Sequence, residues 1–196
     1  MSNLSSQRER IEARRRGAQS RSTLTWTLVI IAAVAIAGYL LWVSLRPAEG
    51  TAVPLEGETH VQEGTDPQYV SNPPTSGKHY ASELAPPGFY EEADLEPYLP
   101  YPEGYAVHNL EHGYIIFWYN CDVIDEAACE QLKTDIRNFI DQSLTKKLLA
   151  LPWNKTDIPL VLTSWGYMLE MPVFDAGRAS AFIAANAPKA PEPNAP

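Results

Sequence analysis

The chain has 196 residues, room for one globular domain with appendages and too few for two full domains. Hydrophobic residues make up 45% and charged residues 20%, which excludes disorder of the chain as a whole. A net charge of −9 lacks the basic face that phosphates require, so no nucleic-acid partner is expected.

The charge is unevenly placed. Residues 1–22 carry six arginines and two glutamates, whereas the chain beyond Arg46 carries a net −14. Between them residues 24–45 (LTWTLVIIAAVAIAGYLLWVSL) contain no charge. At about 1.5 Å per residue a helix of this length spans roughly 33 Å, enough for a bilayer core of about 30 Å. Trp26 near one end and Tyr39 and Trp42 near the other suit the two interfaces. A cleaved signal peptide would have a shorter apolar core and a small-residue cleavage site, and this run ends on bulky Leu41 and Trp42. The expectation is therefore a transmembrane helix over 23–45, a cytoplasmic Arg-rich segment over 1–22 and an extracytoplasmic remainder.

Residues 46–57 read as a linker rich in proline, glycine and acid, and 58–113 as a proline-rich stretch of loops and short strands. Within it, PPGFYEEADLEPYLPYPEGY sets Phe89, Tyr90, Tyr98, Tyr101 and Tyr105 among prolines and acids. Those rings either anchor a loop across the sheet or form a partner surface. Residues 114–119 (YIIFWY) form an apolar, β-branched and aromatic run, the mark of a buried strand. A helix over 125–147 follows, with Cys129, Leu132, Ile136, Phe139 and Ile140 on one stripe. Residues 158–165 (IPLVLTSW) read as a second strand and 167–173 as a third, and Asp175 as the N-cap of a helix to about Ala185. The tail 187–196 (APKAPEPNAP) is expected to be disordered. The order describes an α+β domain over 58–186, a small sheet with helices on one face and a loop-rich first half.

Cys121 and Cys129 are the two cysteines, and on the outside of a membrane an even pair reads as a disulfide. Closing so short a loop is worth on the order of 2.5 kcal/mol in the chain-entropy model.

All four histidines fall in three segments: 59–61 (THV), 72–80 (NPPTSGKHY) and 107–114 (VHNLEHGY). His108, Glu111 and His112 spell H-x-x-E-H, which a zinc peptidase needs on a helix, with both histidines on one face and the glutamate as base. Pro100, Pro102 and Gly104 before the motif and Gly113 after it leave little room for such a helix. Imidazoles suit zinc and copper, so His79, His108 and His112, with His60 and Glu111, are candidate ligands of a copper or zinc ion. Glu111 alternatively fixes a histidine tautomer from outside the coordination shell. Met168 and Met171 are candidate thioether ligands, with core packing as their other reading. In NPPTSG the prolines impose an extended entry and Thr75, Ser76 and Gly77 a turn that aims His79; Ser76 as a hydrolytic nucleophile lacks a nucleophile-elbow sequence.

Taken together, NPPTSGKHY, HNLEHGYIIFWY and LTSWG…FDAGRASAFIAAN resemble the bacterial family called domain of unknown function 3105, over residues 58–186. The match runs through His60, His79, His108, Glu111 and His112. Lys78 stands where the resemblance implies proline, and puts a cation beside His79. The resemblance implies an architecture and no activity. The residues themselves lead to a membrane-anchored extracytoplasmic protein that binds or handles copper or zinc. An accessory subunit of a larger membrane complex and a metal-dependent hydrolase are the alternatives.

Overall fold

A computed structural model describes residues 26–38 and 49–195 of the chain, which divides into two compact units at residues 47 and 48. In the first unit residues 26–38 are helical. The rest of the expected 23–45 span and all of 1–22 lie outside the described residues. No helix among the described residues is long and apolar enough to cross a membrane.

The second unit is built on a six-stranded mixed sheet with strand order β1-β8-β7-β5-β6-β4. Its strands are β1 (Thr51–Ala52), β4 (Gly88–Phe89), β5 (Ile115–Tyr119), β6 (Leu148–Pro152), β7 (Leu160–Ser164) and β8 (Tyr167–Glu170). A separate parallel pair joins β2 (His60–Val61) to β3 (His79–Tyr80). Helix α1 covers Pro102–Glu111, α2 covers Glu126–Gln142 and α3 covers Ala176–Asn186.

The central strand β5 explains the layering. All five of its residues are buried, and alternate side chains enter two different cores. Ile116 and Trp118 pack with Leu110 and Val107 of α1, together with Leu149, Trp153 and Trp165. Ile115, Phe117 and Tyr119 pack with Leu132 and Ile136 of α2 and Phe182 of α3. A continuous apolar strand is what burial on both faces demands. Helices were expected on one face alone; the structure covers both, with α1 and the proline-rich loops forming the second cover.

Three local readings are changed by tertiary packing. Helix α2, expected to run to residue 147, stops at Gln142, and LLALP, which the sequence reading assigned to no element, forms β6 in parallel with β5. Five apolar residues without alternation suit either element, and the open edge of β5 selects the strand. Residues 49–57 are part of the domain and not a free linker. Here β1 pairs with β8, Arg178 meets the Glu49 carboxylate at 3.2 Å, and Glu56 accepts the N–H groups of Val70 and Ser71, each at 2.8 Å. The tail, expected to be disordered, is held from Ala187 to Ala195: Glu192 donates its N–H to the Glu111 carbonyl at 2.9 Å, and Lys147 donates to the carbonyls of Pro193 and Ala195. Both end segments are proline-rich, and their order comes from polar anchors on the domain that composition does not reveal.

Other expectations match. Asp175 caps α3 by accepting from Arg178 N–H at 2.9 Å, while Asp125, read as the first helical residue, is instead the N-cap of α2, accepting from Ala128 N–H at 2.9 Å. Cys121 and Cys129 form a disulfide. The tyrosines of the proline-rich stretch anchor it as a ladder of edge contacts, Tyr90 to Tyr98 to Tyr105 to Tyr80.

Helix α1 exists where the flanking prolines and glycine argued against one. Pro102 sits at its start, where its fixed φ and missing N–H cost nothing. Gly104 is there because the buried ring of Tyr80 lies against it: a Cβ would come within 2.5 Å of that ring. Asn109 then ties the helix to the preceding loop, its side chain bonding both the N–H and the carbonyl of Leu84. Gly104→Ala is expected to cost about 1–3 kcal/mol, read as a lower midpoint of thermal unfolding, because it separates α1 from β3; an unchanged midpoint would contradict the close contact.

Candidate metal centre

Two local geometries bring four side chains together. His60 and His79 are register partners on the parallel pair β2–β3, so both rings leave the same face of that ribbon. His108 and Glu111 are three residues apart at the end of α1, which places them side by side on the helix surface. Helix α1 packs on β3 through the Tyr80–Gly104 contact, and that sets the second pair against the first.

The resulting group is His60, His79, His108 and Glu111, with one donor atom from each lying within 4.8 Å of the others. His60 Nε2 is 3.3 Å from His108 Nδ1, and His79 Nε2 is 3.1 Å from Glu111 Oε2. Glu111 Oε2 is also 3.6 Å from His60 Nε2 and from His108 Nδ1. Donors about 2.0–2.1 Å from a tetrahedral zinc would be separated by roughly 3.3 Å along each edge, so these four distances are close to those of a coordination shell.

The hydrogen bonds around the group fix which nitrogen is available. His79 is fully buried, and its Nδ1 lies 2.8 Å from the carbonyl oxygen of Gly77. A carbonyl only accepts, so Nδ1 carries the proton and a neutral ring turns its Nε2 lone pair toward Glu111. That lone pair and the carboxylate repel one another at 3.1 Å unless a proton or a metal ion lies between them. The NPPTSG turn supplies the Gly77 carbonyl. Ser71 Oγ accepts the Thr75 N–H, the Thr75 carbonyl accepts the Gly166 N–H, and Gly77 adopts φ +118, with Tyr69 and Glu56 closing the space where a Cβ would go. Trp165 walls the other side of His79, edge-on at 6.0 Å.

Burial and neighbouring imidazoles depress the His108 pKa. Desolvation comes first, then His112 and His79, and the pKa falls from 6.5 to about 4. The ring is thus neutral, the form that ligates metals.

The remaining candidates lie elsewhere. His112, expected to join His79 and His108, caps α1 just past its last turn. Its ring sits 4.5 Å from the His108 ring, with Nε2 3.6 Å from Glu192 and Nδ1 4.0 Å from Glu83. The helix of the H-x-x-E-H reading is present but ends at Glu111, so the second histidine is not delivered into the group, and His60, 48 residues upstream of His108, stands there instead. Met171 is fully buried in the core beneath α2 and α3, where its sulfur accepts the Asp175 N–H at 3.2 Å, and Met168 pairs with Thr163 on β7. Ser76 Oγ accepts the Glu56 N–H at 3.0 Å, and among the described residues no histidine is hydrogen-bonded to it. Lys78 points outward and offers its carbonyl to the Tyr69 hydroxyl. A cavity of about 620 Å³ lies between Glu91, Glu103, Tyr119 and Trp153, and none of the four clustered residues lines it. Asn109 and Trp165 are the residues that sequence reasoning overlooked, and Gly104 was read there as a helix breaker when it is the point of close approach to Tyr80.

The model of a family described as a protein of unknown function, DUF3105, matches residues 60–196, and the chain belongs to that family. No curated protein and no solved structure matches it.

A pH dependence follows from His108. Between pH 6.5 and about 4 the unfolded chain protonates this ring while the folded domain does not, so the unfolded state binds more protons there and acidification lowers stability. The metal-free protein is expected to lose stability as pH falls through that window, more steeply than a His108→Gln variant. Denaturant titrations at pH 7, 5.5 and 4.5 check this, and parallel slopes for the two proteins would refute it.

Proposed function

We propose that this protein is a single-span, membrane-anchored extracytoplasmic metal-binding protein that holds one zinc or copper ion between His60, His79, His108 and Glu111. The observation that carries the reading is the buried placement of His79 Nε2 3.1 Å from the Glu111 carboxylate, with His79 Nδ1 held by the Gly77 carbonyl. A metal ion in place of a proton between them makes two coordinate bonds, and His60 and His108 supply the other two corners.

Three neutral imidazoles and one carboxylate are a borderline donor set, which suits Zn²⁺ and Cu²⁺ and offers no thioether preference for Cu⁺. The carboxylate offsets one of the two charges of a divalent ion, which lowers the cost of holding it in a partly buried place. Four protein donors also favour a held ion over a hydrolytic centre, since catalytic zinc keeps one position for water. The uncharged run 24–45 and the arginines before it support an anchor with the acidic domain outside. The disulfide supports the same compartment.

Full-length protein in detergent, stripped and reloaded with zinc or copper, is expected to retain one ion per chain by elemental analysis. His79→Ala and His108→Ala are expected to retain none while keeping the circular dichroism of the wild type. His112→Ala keeps its ion, which separates this centre from one built on both histidines of the H-x-x-E-H segment. Folded wild type without metal after exposure to both ions would end the reading.

A further inference from the structure

The four donors differ sharply in access. The side chain of His79 is 0% exposed, those of Glu111 and His108 are 9% and 10% exposed, and that of His60 is 50% exposed. The contrast has a structural origin. His79 is fixed from behind by the Gly77 carbonyl and walled by Trp165, and His108 and Glu111 belong to a helix that is buried on nearly every side. His60 belongs to a two-residue strand paired on one edge only, and the flanking residues 57–59 and 62–66 are exposed. Its Nε2 faces the group, and among the described residues its Nδ1 makes no hydrogen bond. A ligating imidazole ordinarily has its second nitrogen held by an outer partner, which orients the ring and raises its basicity. Among the described residues His79 has such a partner while His60 Nδ1 and His108 Nε2 do not, and His60 differs from His108 in being 50% rather than 10% exposed.

We propose that His60 is the exchange ligand of the centre: metal enters and leaves at this corner while His79, His108 and Glu111 stay in place. The inference rests on the metal-binding reading above and adds the route of transfer. The step is a ligand substitution without redox change. The bond from His60 Nε2 to the ion breaks, an incoming nitrogen donor from an acceptor supplies its own lone pair at the vacated position, and the ion then passes from the three buried donors. The other three side chains are 10% exposed or less, so an incoming donor reaches the group at His60.

Cobalt(II) reports on this, since its visible absorption in a four-coordinate nitrogen and oxygen shell changes with each donor. Full-length wild type, His60→Ala and His79→Ala in detergent are loaded with Co²⁺, then titrated with free imidazole. Expected for His60→Ala is one bound ion, an altered spectrum that imidazole returns toward that of the wild type, and release to an excess of chromogenic chelator at least about tenfold faster than from the wild type. His79→Ala is expected to stay unrescued, because imidazole has no path to a fully buried corner. Rescue of His79→Ala to the same extent would overturn the proposal, as would a His60→Ala protein that binds no cobalt with or without imidazole, or one that releases it at the wild-type rate. A wild type that binds no cobalt would remove the metal-binding reading itself, an outcome distinct from each of these.

Discussion

The hydrogen bond from His79 Nδ1 to the Gly77 carbonyl is the constraint on which the site depends. A free imidazole has two tautomers and a rotating ring. Tying one nitrogen to an obligate acceptor selects a single tautomer and aims the other nitrogen at Glu111. The NPPTSG turn is organised around that bond. The prolines and the Ser71, Thr75 and Gly166 contacts fix its path, and Gly77 takes a backbone conformation that a side chain resists. Without this turn the histidine would still be near the helix, but without a defined lone pair.

A second level of order comes from joining two short, weak elements to one strong one. A two-residue parallel ladder has little stability alone. It acquires a fixed position because Tyr80, one residue beyond His79, packs against Gly104 on α1, and α1 is locked to the sheet through Val107 and Leu110. The sheet carries β5 at its centre and is covered on both faces, so the helix that presents His108 and Glu111 rests on the most buried part of the domain. The donors thus grade from rigid to accessible, with the helix pair and His79 fixed by the core and His60 at the solvent edge.

The ends of the domain contribute to the same frame. The tail returns to the end of α1, where Glu192 holds the Glu111 carbonyl and its carboxylate lies near His112. The start of the domain reaches the opposite cover through Glu49, Arg178 and Asn186. Segments that composition marks as linker and tail are therefore part of the domain, since order there is set by a few polar anchors and not by apolar content.

Much was legible in the sequence because it depends on local rules. The buried strand of YIIFWY, the stripe of α2, the cap Asp175, the cysteine pair and the α+β class all follow from periodicity, capping chemistry and spacing. So did the concentration of chemistry in three histidine-bearing segments. What the sequence left open was geometry between distant residues. H-x-x-E-H suggested His108 and His112 as partners, but the helix ends at Glu111, and a cap residue does not keep the direction that helical spacing implies. His60 takes that place because β2 and β3 pair in a register that sets it beside His79, and a pairing of two residues leaves no periodic signal. Helix α1 and strand β6 were likewise decided by packing, since Gly104 and LLALP have weak preferences that the Tyr80 ring and the β5 edge settle. Residue types and short-range order belong to the sequence; the convergence of three histidines and a carboxylate belongs to the tertiary structure, because only long-range pairing and close backbone approach bring donors far apart in the chain to within coordination distance.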